Sequence, residues 1–247
     1  MSNNMLLSFD NLLKNARHAV FFGGAGVSCE SGIPDFRSQD GLYNQSWQEP
    51  PETIISAGYF RHRTADFYKF YKAKMLFPDA MPNPAHKALA YMEGKGLLKA
   101  VVTQNIDGLH QAAGSRNVIE LHGSVHRNFC RQCGKLYDMK HVFQSEGIPL
   151  CTCGGIIKPD VVLYEEALPL DALEDTAFHL DRADLLIIGG TSLSVYPAAA
   201  FARNFRGQVI IINKSPTPMD HQADLLIPHP IGQFLGAWEE MHRVSNQ

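Results

Sequence analysis

Seven short apolar runs constrain this chain more than any other feature: 19–22, 100–103, 118–121, 161–164, 185–188, 209–212 and 225–227. Each is of strand length, rich in Val and Ile, and free of polar alternation, so each reads as a strand buried on both faces. The segments between them carry helix punctuation. Asn83-Pro84 supplies an N-cap and a first-turn proline for a helix that stops at Gly94, and Tyr196-Pro197 opens another that stops at Gly207. Strands alternating with helices give an α/β fold with a doubly wound parallel sheet, whose ligand crevice lies beyond the C-terminal ends of the strands. With 247 residues, 45% of them hydrophobic, the chain can build this as one domain.

Two stretches fit the alternation poorly and read as insertions: a helical, aromatic and Pro-rich segment at about 36–82, and a cysteine-bearing one at about 124–158. The large part then comprises about 1–35, 83–123 and 159–247. In the second insertion, Cys130-x2-Cys133 and Cys151-x-Cys153 offer four thiolates from two glycine-flanked turns, the pattern of a tetrahedral zinc site. Four protein ligands close the coordination sphere, so one zinc ion per chain is expected, structural rather than catalytic. The single residue between Cys151 and Cys153 demands a tighter turn than usual. With 22 basic against 25 acidic residues, a net charge of −3, the chain has no overall field to draw it onto nucleic acid or an anionic membrane. Its N-terminus lacks the pattern of a secretory signal, and no apolar run approaches the roughly 20 residues of a membrane helix. The expectation is a cytoplasmic monomer without nucleic-acid or membrane partners.

The remaining motifs sit at strand ends. After the first run comes Gly24-Ala25-Gly26, followed by an expected helix start at 27–30; such a turn brings backbone N–H groups to a phosphate. Cys29 occupies the third-glycine position of a dehydrogenase fingerprint, which is therefore incomplete. Asp35-Phe36-Arg37 follows with the look of a lid. TQNIDGLH (103–110) places Gln104, Asn105 and Asp107 beyond the second strand, and His122 stands beyond the third, where it can act as a base near neutral pH. His110 reads as structural.

Together GAGVSCESGIPDFRS, TQNIDGLH, LHGS, the four cysteines, KPDVVLYEE and GTSLSVYPAA resemble the sirtuins, NAD-dependent protein-lysine deacylases, of bacterial type. The resemblance implies a Rossmann-like domain with a small zinc-ribbon and helical module, and NAD and an acyl-lysine peptide meeting in the cleft between them. By position, Gly24, Ala25, Gly26, Cys29, Phe36 and Arg37 would serve the phosphates and the nicotinamide ribose. Ile106 and Asp107 would hold the carboxamide. Gln104 and Asn105 would contact the ribose and a water, and Gly190, Thr191, Ser192, Asn213, Lys214 and Ile231 would form the adenosine end. His122 would be the general base, with Asn105 and Asp107 beside it in the catalytic set. The peptide would add as a strand along Val161, Leu163, Tyr164, Glu165 and Glu166 on one side and Ser194 and Val195 on the other.

The chemistry so implied is attack of the acyl oxygen on C1′ of the nicotinamide ribose, then transfer of the acyl group to the ribose, giving free lysine, nicotinamide and O-acyl-ADP-ribose. The family's usual glycine in the peptide turn is replaced by Glu165, and the adjacent Glu165 and Glu166 could attract a basic peptide. Sirtuins that take acidic acyl groups carry a Tyr-x-x-Arg pair; this chain has Tyr68 but Tyr71 at the arginine position, so an uncharged acyl group is expected, acetyl or a longer aliphatic chain. Two other readings use the same residues: a protein mono-ADP-ribosyltransferase, and a non-catalytic NAD-sensing module.

Overall fold

In the computed structural model, which describes residues 3–36, 41–44, 47 and 49–244, nine strands form: β1 (Ala19–Gly23), β2 (Ala100–Thr103), β3 (Val118–Glu120), β4 (Gly123–Cys130), β5 (Leu136–Tyr137), β6 (Ile157–Val161), β7 (Leu185–Gly189), β8 (Gln208–Ile212) and β9 (Leu225–Ile227). The helices among those residues are α1 (Asn3–Asn15), α2 (Pro51–Ile54), α3 (Ala57–His62), α4 (Thr64–Lys74), α5 (Pro84–Gly94), α6 (Leu109–Ala112), α7 (Met139–Gln144), α8 (Leu170–Leu180), α9 (Ala198–Arg203) and α10 (Ile231–Val244). Six of the seven apolar runs pair in one parallel sheet of order β3-β2-β1-β7-β8-β9. Period-two alternation gives each face its own core. Phe21, Val101, Ile187 and Ile210 pack under Phe9, Leu13, Phe234 and Trp238 of α1 and α10. Val20, Phe22, Val102, Leu186 and Ile188 form the other core, with Ala198 and Ala202 of α9 and, partly buried, Ala172 and Leu180 of α8.

Strands β1, β2 and β7 are buried at every residue, as a centrally placed parallel strand should be. The runs at 118–121 and 225–227 are the sheet's two edges and are only partly buried, which corrects the expectation that both their faces are covered. The run at 161–164 does not join this sheet at all. Its strand, β6, ends at Val161 and pairs antiparallel with β4 in a separate three-stranded sheet, β5-β4-β6; beyond it Tyr164 makes a lone parallel bridge to Ser56. Phe60, Phe67, Tyr68 and Tyr71 of the helical insertion share one buried cluster with Val125, Cys130, Cys151 and Ile157 of the cysteine-bearing one.

Helix α5 begins where the sequence predicts, and its cap also ties down the segment that follows the glycine loop. Asn83 accepts from the Ala85 amide (2.9 Å) and donates to the Val27 carbonyl (2.7 Å) and Ser31 Oγ (3.0 Å); His86 Nδ1 completes the capping box by accepting from the Asn83 amide (3.3 Å). The second helix, expected from Pro197 to Gly207, is shorter, running over Ala198–Arg203. His110, on α6, packs its ring 4.8 Å from that of His86, and neither of its ring nitrogens has a hydrogen-bond partner. Burial pushes the pKa of His86 down to about 4 and that of His110 down to about 3.

Both histidines are therefore neutral in the folded protein, while the unfolded chain takes up their protons below pH 6.5. Stability from this source is complete above that pH and is lost as the pH falls from 6.5 toward 4, at about 2 kcal/mol for each histidine by pH 5. Urea unfolding at pH 7 and pH 5 measures the loss. His110→Leu, which removes two unpartnered nitrogens, is expected to remove about 2 kcal/mol of the loss between pH 7 and pH 5 and to be no less stable than wild type at pH 7.

Candidate active site

The chain order reverses between β1 and β7, and their C-terminal ends open a crevice there. The loops that leave these strands touch: the Gly26 amide donates to the Gly190 carbonyl at 2.8 Å, and a Cβ on Gly26 would stand 2.8 Å from that oxygen. Glycine at 26 is required by this contact before any phosphate is considered. The segment expected to start a helix at 27–30 instead forms two 3₁₀ turns, Ala25–Val27 and Cys29–Ser31, hinged at Ser28.

The hinge explains the departure. Ser28 turns inward, donating to Asp107 Oδ2 at 2.6 Å and accepting from Asn105 Nδ2 at 3.0 Å, with His86 Nε2 3.5 Å away. Asp107 Oδ1 accepts from the Leu109 amide at 2.9 Å, and Gln104 Nε2 reaches Thr191 Oγ1 at 3.2 Å, joining the β2 loop to the β7 loop. Ser28 is thus the residue at which the glycine loop and the TQNID loop are tied. The sequence reading passed over it, although it lies inside the glycine motif, because a buried serine has no spacing signature of its own.

His122 lies between β3 and β4, with its Nδ1 2.9 Å from the Gln104 carbonyl. A carbonyl only accepts, so Nδ1 carries the proton and Nε2 keeps the lone pair of a base. Burial lowers its pKa below 6.5, opposed in part by that hydrogen bond. The next residue, Gly123, has φ +74°, and a Cβ there would collide with the Asp160 carbonyl, so only glycine lets the chain turn from His122 into β4. Cys29 sits on the cleft wall with its thiol toward the Ala25 carbonyl (3.6 Å) and Asp35 Oδ2 (3.8 Å). Partial burial, and then the Asp35 charge, push its pKa up to about 11, which holds it as the thiol near neutral pH.

One cleft of about 1050 Å³ brings together every residue that the sequence assigned to cofactor or substrate except two. Arg37 lies outside the described residues. Ser194 is not among the lining residues; its hydroxyl donates to the Ser192 carbonyl at 3.2 Å. On the peptide side, the Tyr164 amide donates to the Ile55 carbonyl and the Ala57 amide to the Tyr164 carbonyl, both at 3.0 Å. Glu165 adopts φ +75°, and its Oε2 accepts from the Gly58 amide at 2.8 Å near the start of α3. Glu166 Oε2 accepts from the Leu163 amide (2.9 Å) and pairs with Lys158 (3.2 Å). Both carboxylates are engaged within the chain, and both line the cleft.

The four cysteine sulfurs lie within 4.8 Å of one another, with separations of 3.5 Å (Cys130–Cys153), 3.6 Å (Cys133–Cys151) and 3.5 Å (Cys133–Cys153). A tetrahedron of thiolates about 2.3 Å from zinc has edges of about 3.8 Å, so the set fits the ion and fills its coordination sphere. The tight second turn is closed by a hydrogen bond from the Cys151 amide to the Gly155 carbonyl (2.8 Å), with Gly154 at φ +85°. The Tyr137 hydroxyl donates to Cys151 Sγ at 3.0 Å, a support of the kind that orients metal ligands.

Comparison with known proteins matches residues 24–197 to the family model described as the Sir2 family. A protein of Clostridium acetobutylicum named NAD-dependent protein deacetylase is 57% identical over 221 residues, 87% of this chain and 90% of that one. A protein of Clostridium perfringens with the same name is 54% identical over 230 residues, covering 91% and 94%. Among solved structures, one described as a Sir2–p53 peptide–NAD+ complex superposes with a TM-score of 0.84 at 40% identity, covering 96% of this chain and 98% of that one. Another, described as Sir2 bound to acetylated peptide, gives 0.83 at 38% identity, covering 97% and 99%.

Two outcomes test this geometry. Metal analysis is expected to find one zinc per chain, and its chelation to unfold the cluster shared by the two insertions while the parallel sheet persists, read as loss of near-ultraviolet dichroism with far-ultraviolet signal largely kept. At position 165, Glu165→Ala keeps the left-handed backbone and loses the bond to Gly58, whereas Glu165→Gly loses the bond but relieves the strain. Thermal unfolding should therefore rank wild type first, the glycine variant next and the alanine variant lowest, the last two differing by about 1 kcal/mol.

Proposed function

The chain belongs to the Sir2 family, and on that premise we propose that it removes an uncharged acyl group, acetyl foremost, from lysine side chains of proteins in an NAD-dependent reaction that releases nicotinamide and O-acyl-ADP-ribose. The observation that carries this reading is the fixed tautomer of His122 on a cleft that also holds the glycine loop and the peptide-side backbone. A cleft that only sensed NAD would have no use for an oriented base.

The residues fit NAD by their chemistry. The loop at 24–26, the carboxylate and amides of Asp107, Asn105 and Gln104, and the strand-end groups of Gly190, Thr191, Ser192, Asn213 and Lys214 supply donors and acceptors for phosphates, riboses and amides along one cleft. When bound, NAD supplies an activated ribose carbon with nicotinamide as leaving group. The chain's own part is to place the acyl oxygen and that carbon together and to hold a proton acceptor beside the ribose. His122 Nε2 is that acceptor, and the Gln104 carbonyl stabilises the imidazolium that forms by holding Nδ1–H. Asn105 and Asp107, tied through Ser28, keep the floor of the cleft in register with His122.

In this reading the substrate peptide lies between the 163–166 loop and the stretch around Val195, adding backbone hydrogen bonds to both. The large part and the inserted module form the two walls. The enzyme works as a cytoplasmic monomer on protein chains and not on nucleic acid. The net charge of −3 supports the exclusion of nucleic acid, since it offers no attracting field, and no described helix is long and apolar enough to cross a membrane.

His122→Ala is expected to lower peptide-dependent nicotinamide release by at least about 100-fold with the fold intact by circular dichroism. Because the histidine pKa is depressed, the midpoint of the acidic fall of kcat/KM in the wild type should lie below pH 6.5. Retained turnover in the variant would refute the assigned base, and label from NAD appearing on protein without deacylation would favour ADP-ribosyl transfer instead.

A further inference from the structure

Glu165 and Glu166 are neighbours on the cleft wall, yet their charges are answered differently. Glu166 is neutralised. Its Oε2 accepts from the Leu163 amide and pairs with the Lys158 ammonium, which also donates to the Pro159 (3.3 Å) and Val161 (3.2 Å) carbonyls. The Lys158 side chain is 14% exposed, so this ion pair is an internal brace of the wall. Glu165 is exposed and has only a neutral partner, the Gly58 amide, which holds its Oε2 at 2.8 Å and leaves the negative charge uncompensated. Among the described residues no lysine or arginine pairs with it. On the neighbouring helices Arg63 pairs with Asp66 (2.6 Å) and Arg61 donates to the Ala57 carbonyl (3.3 Å), while Lys74, also on the cleft, holds its ammonium over the Trp47 ring at 5.7 Å.

We propose that Glu165 determines specificity for the substrate chain, favouring sequences that place an arginine or lysine beside the acyl-lysine and disfavouring those that place a carboxylate there. This deepens the deacylase reading and rests on its placement of the peptide against the 163–166 loop. The loop is already ordered: Tyr164 exchanges backbone bonds with Ile55 and Ala57, and Leu163 is held by Glu166. An incoming cation therefore meets a carboxylate whose position is set, with little left to immobilise on the enzyme's side. Glu166 does not share this task, because a basic side chain drawn toward it would also meet the Lys158 ammonium.

The test measures kcat/KM, at saturating NAD, for acetyl-lysine peptides that differ only in carrying Arg, Gln or Glu next to the modified lysine, and the binding of the same peptides without NAD by fluorescence anisotropy. In the wild type the Arg peptide is expected to exceed the Gln peptide by about three- to fivefold, and the Gln peptide to exceed the Glu peptide by a similar factor, both differences shrinking at about 0.5 M salt. Glu165→Gln keeps an oxygen for the Gly58 amide and should bring both ratios to about one. Glu165→Lys, folded by circular dichroism, should invert the order. Wild-type ratios near one, or an Arg preference that persists in both variants, would overturn the proposal, and nicotinamide release in those cases leaves the deacylase reading standing. If no peptide gives nicotinamide release while anisotropy still ranks Arg above Glu, the deacylase reading falls and the assignment of Glu165 holds. Neither release nor a charge preference in binding overturns both.

Discussion

The contact that the rest of the site depends on is the hydrogen bond from the Gly26 amide to the Gly190 carbonyl. It joins the loops after β1 and β7, the two strands between which the sheet changes direction, and it requires both backbones to approach with no Cβ between them. Each loop then serves as the other's support. The β1 loop carries Ala25 and Cys29, the β7 loop carries Thr191 and Ser192, and Gln104 bonds across to Thr191. A ligand laid along this seam meets groups whose spacing is already set, so little ordering is left for binding to supply.

A second level of order comes from acceptors on the main chain. His122 owes its tautomer to the Gln104 carbonyl, and Asp107 owes its position to Ser28 and the Leu109 amide. The His126 ring nitrogen lies 2.9 Å from the Asp107 carbonyl, and the Val125 amide donates to the Ile106 carbonyl, so β4 clamps the same loop from the other side. The backbone of one segment, TQNID, thus orients the His122 ring and receives both contacts from β4, while its own Asp107 side chain is held by Ser28 and Leu109.

What could be read from the sequence follows the range of the interactions involved. The buried central strands, the capped helix at Pro84–Gly94 and the cysteine cluster depend on composition and spacing within a few residues, and all were legible. The run at 161–164 looked like another sheet strand because local hydrophobicity does not say which sheet a strand will join, and here the β4 edge claims it. The two 3₁₀ turns were missed because Ser28 is pulled inward by Asp107, 79 positions along the chain. The role of Glu165 was hidden for the same reason: Gly58 is remote in sequence, and only the fold brings its amide to the Glu165 carboxylate.

The metal site and the cleft wall are coupled through β6. Cys130 on β4 stands opposite Ile157 in register, and at the other end of the same pair Gly123 stands opposite Val161. One β-ladder, irregular between Ser124 and Asn128, thus runs from Cys130 of the metal set to the residue after His122 on one strand and to Val161 of the cleft wall on the other. Tyr68 of the helical insertion bonds to the Ile157 carbonyl, and the Tyr164 loop beyond β6 is bridged to Ser56. Four thiolates left without a cation would repel or need protons, and the disturbance would enter the ladder at Cys130, where the two insertions share their core. A metal with no open coordination position would in this way support the proposed reaction at a distance, by holding the ladder whose far end carries Val161 of the cleft wall.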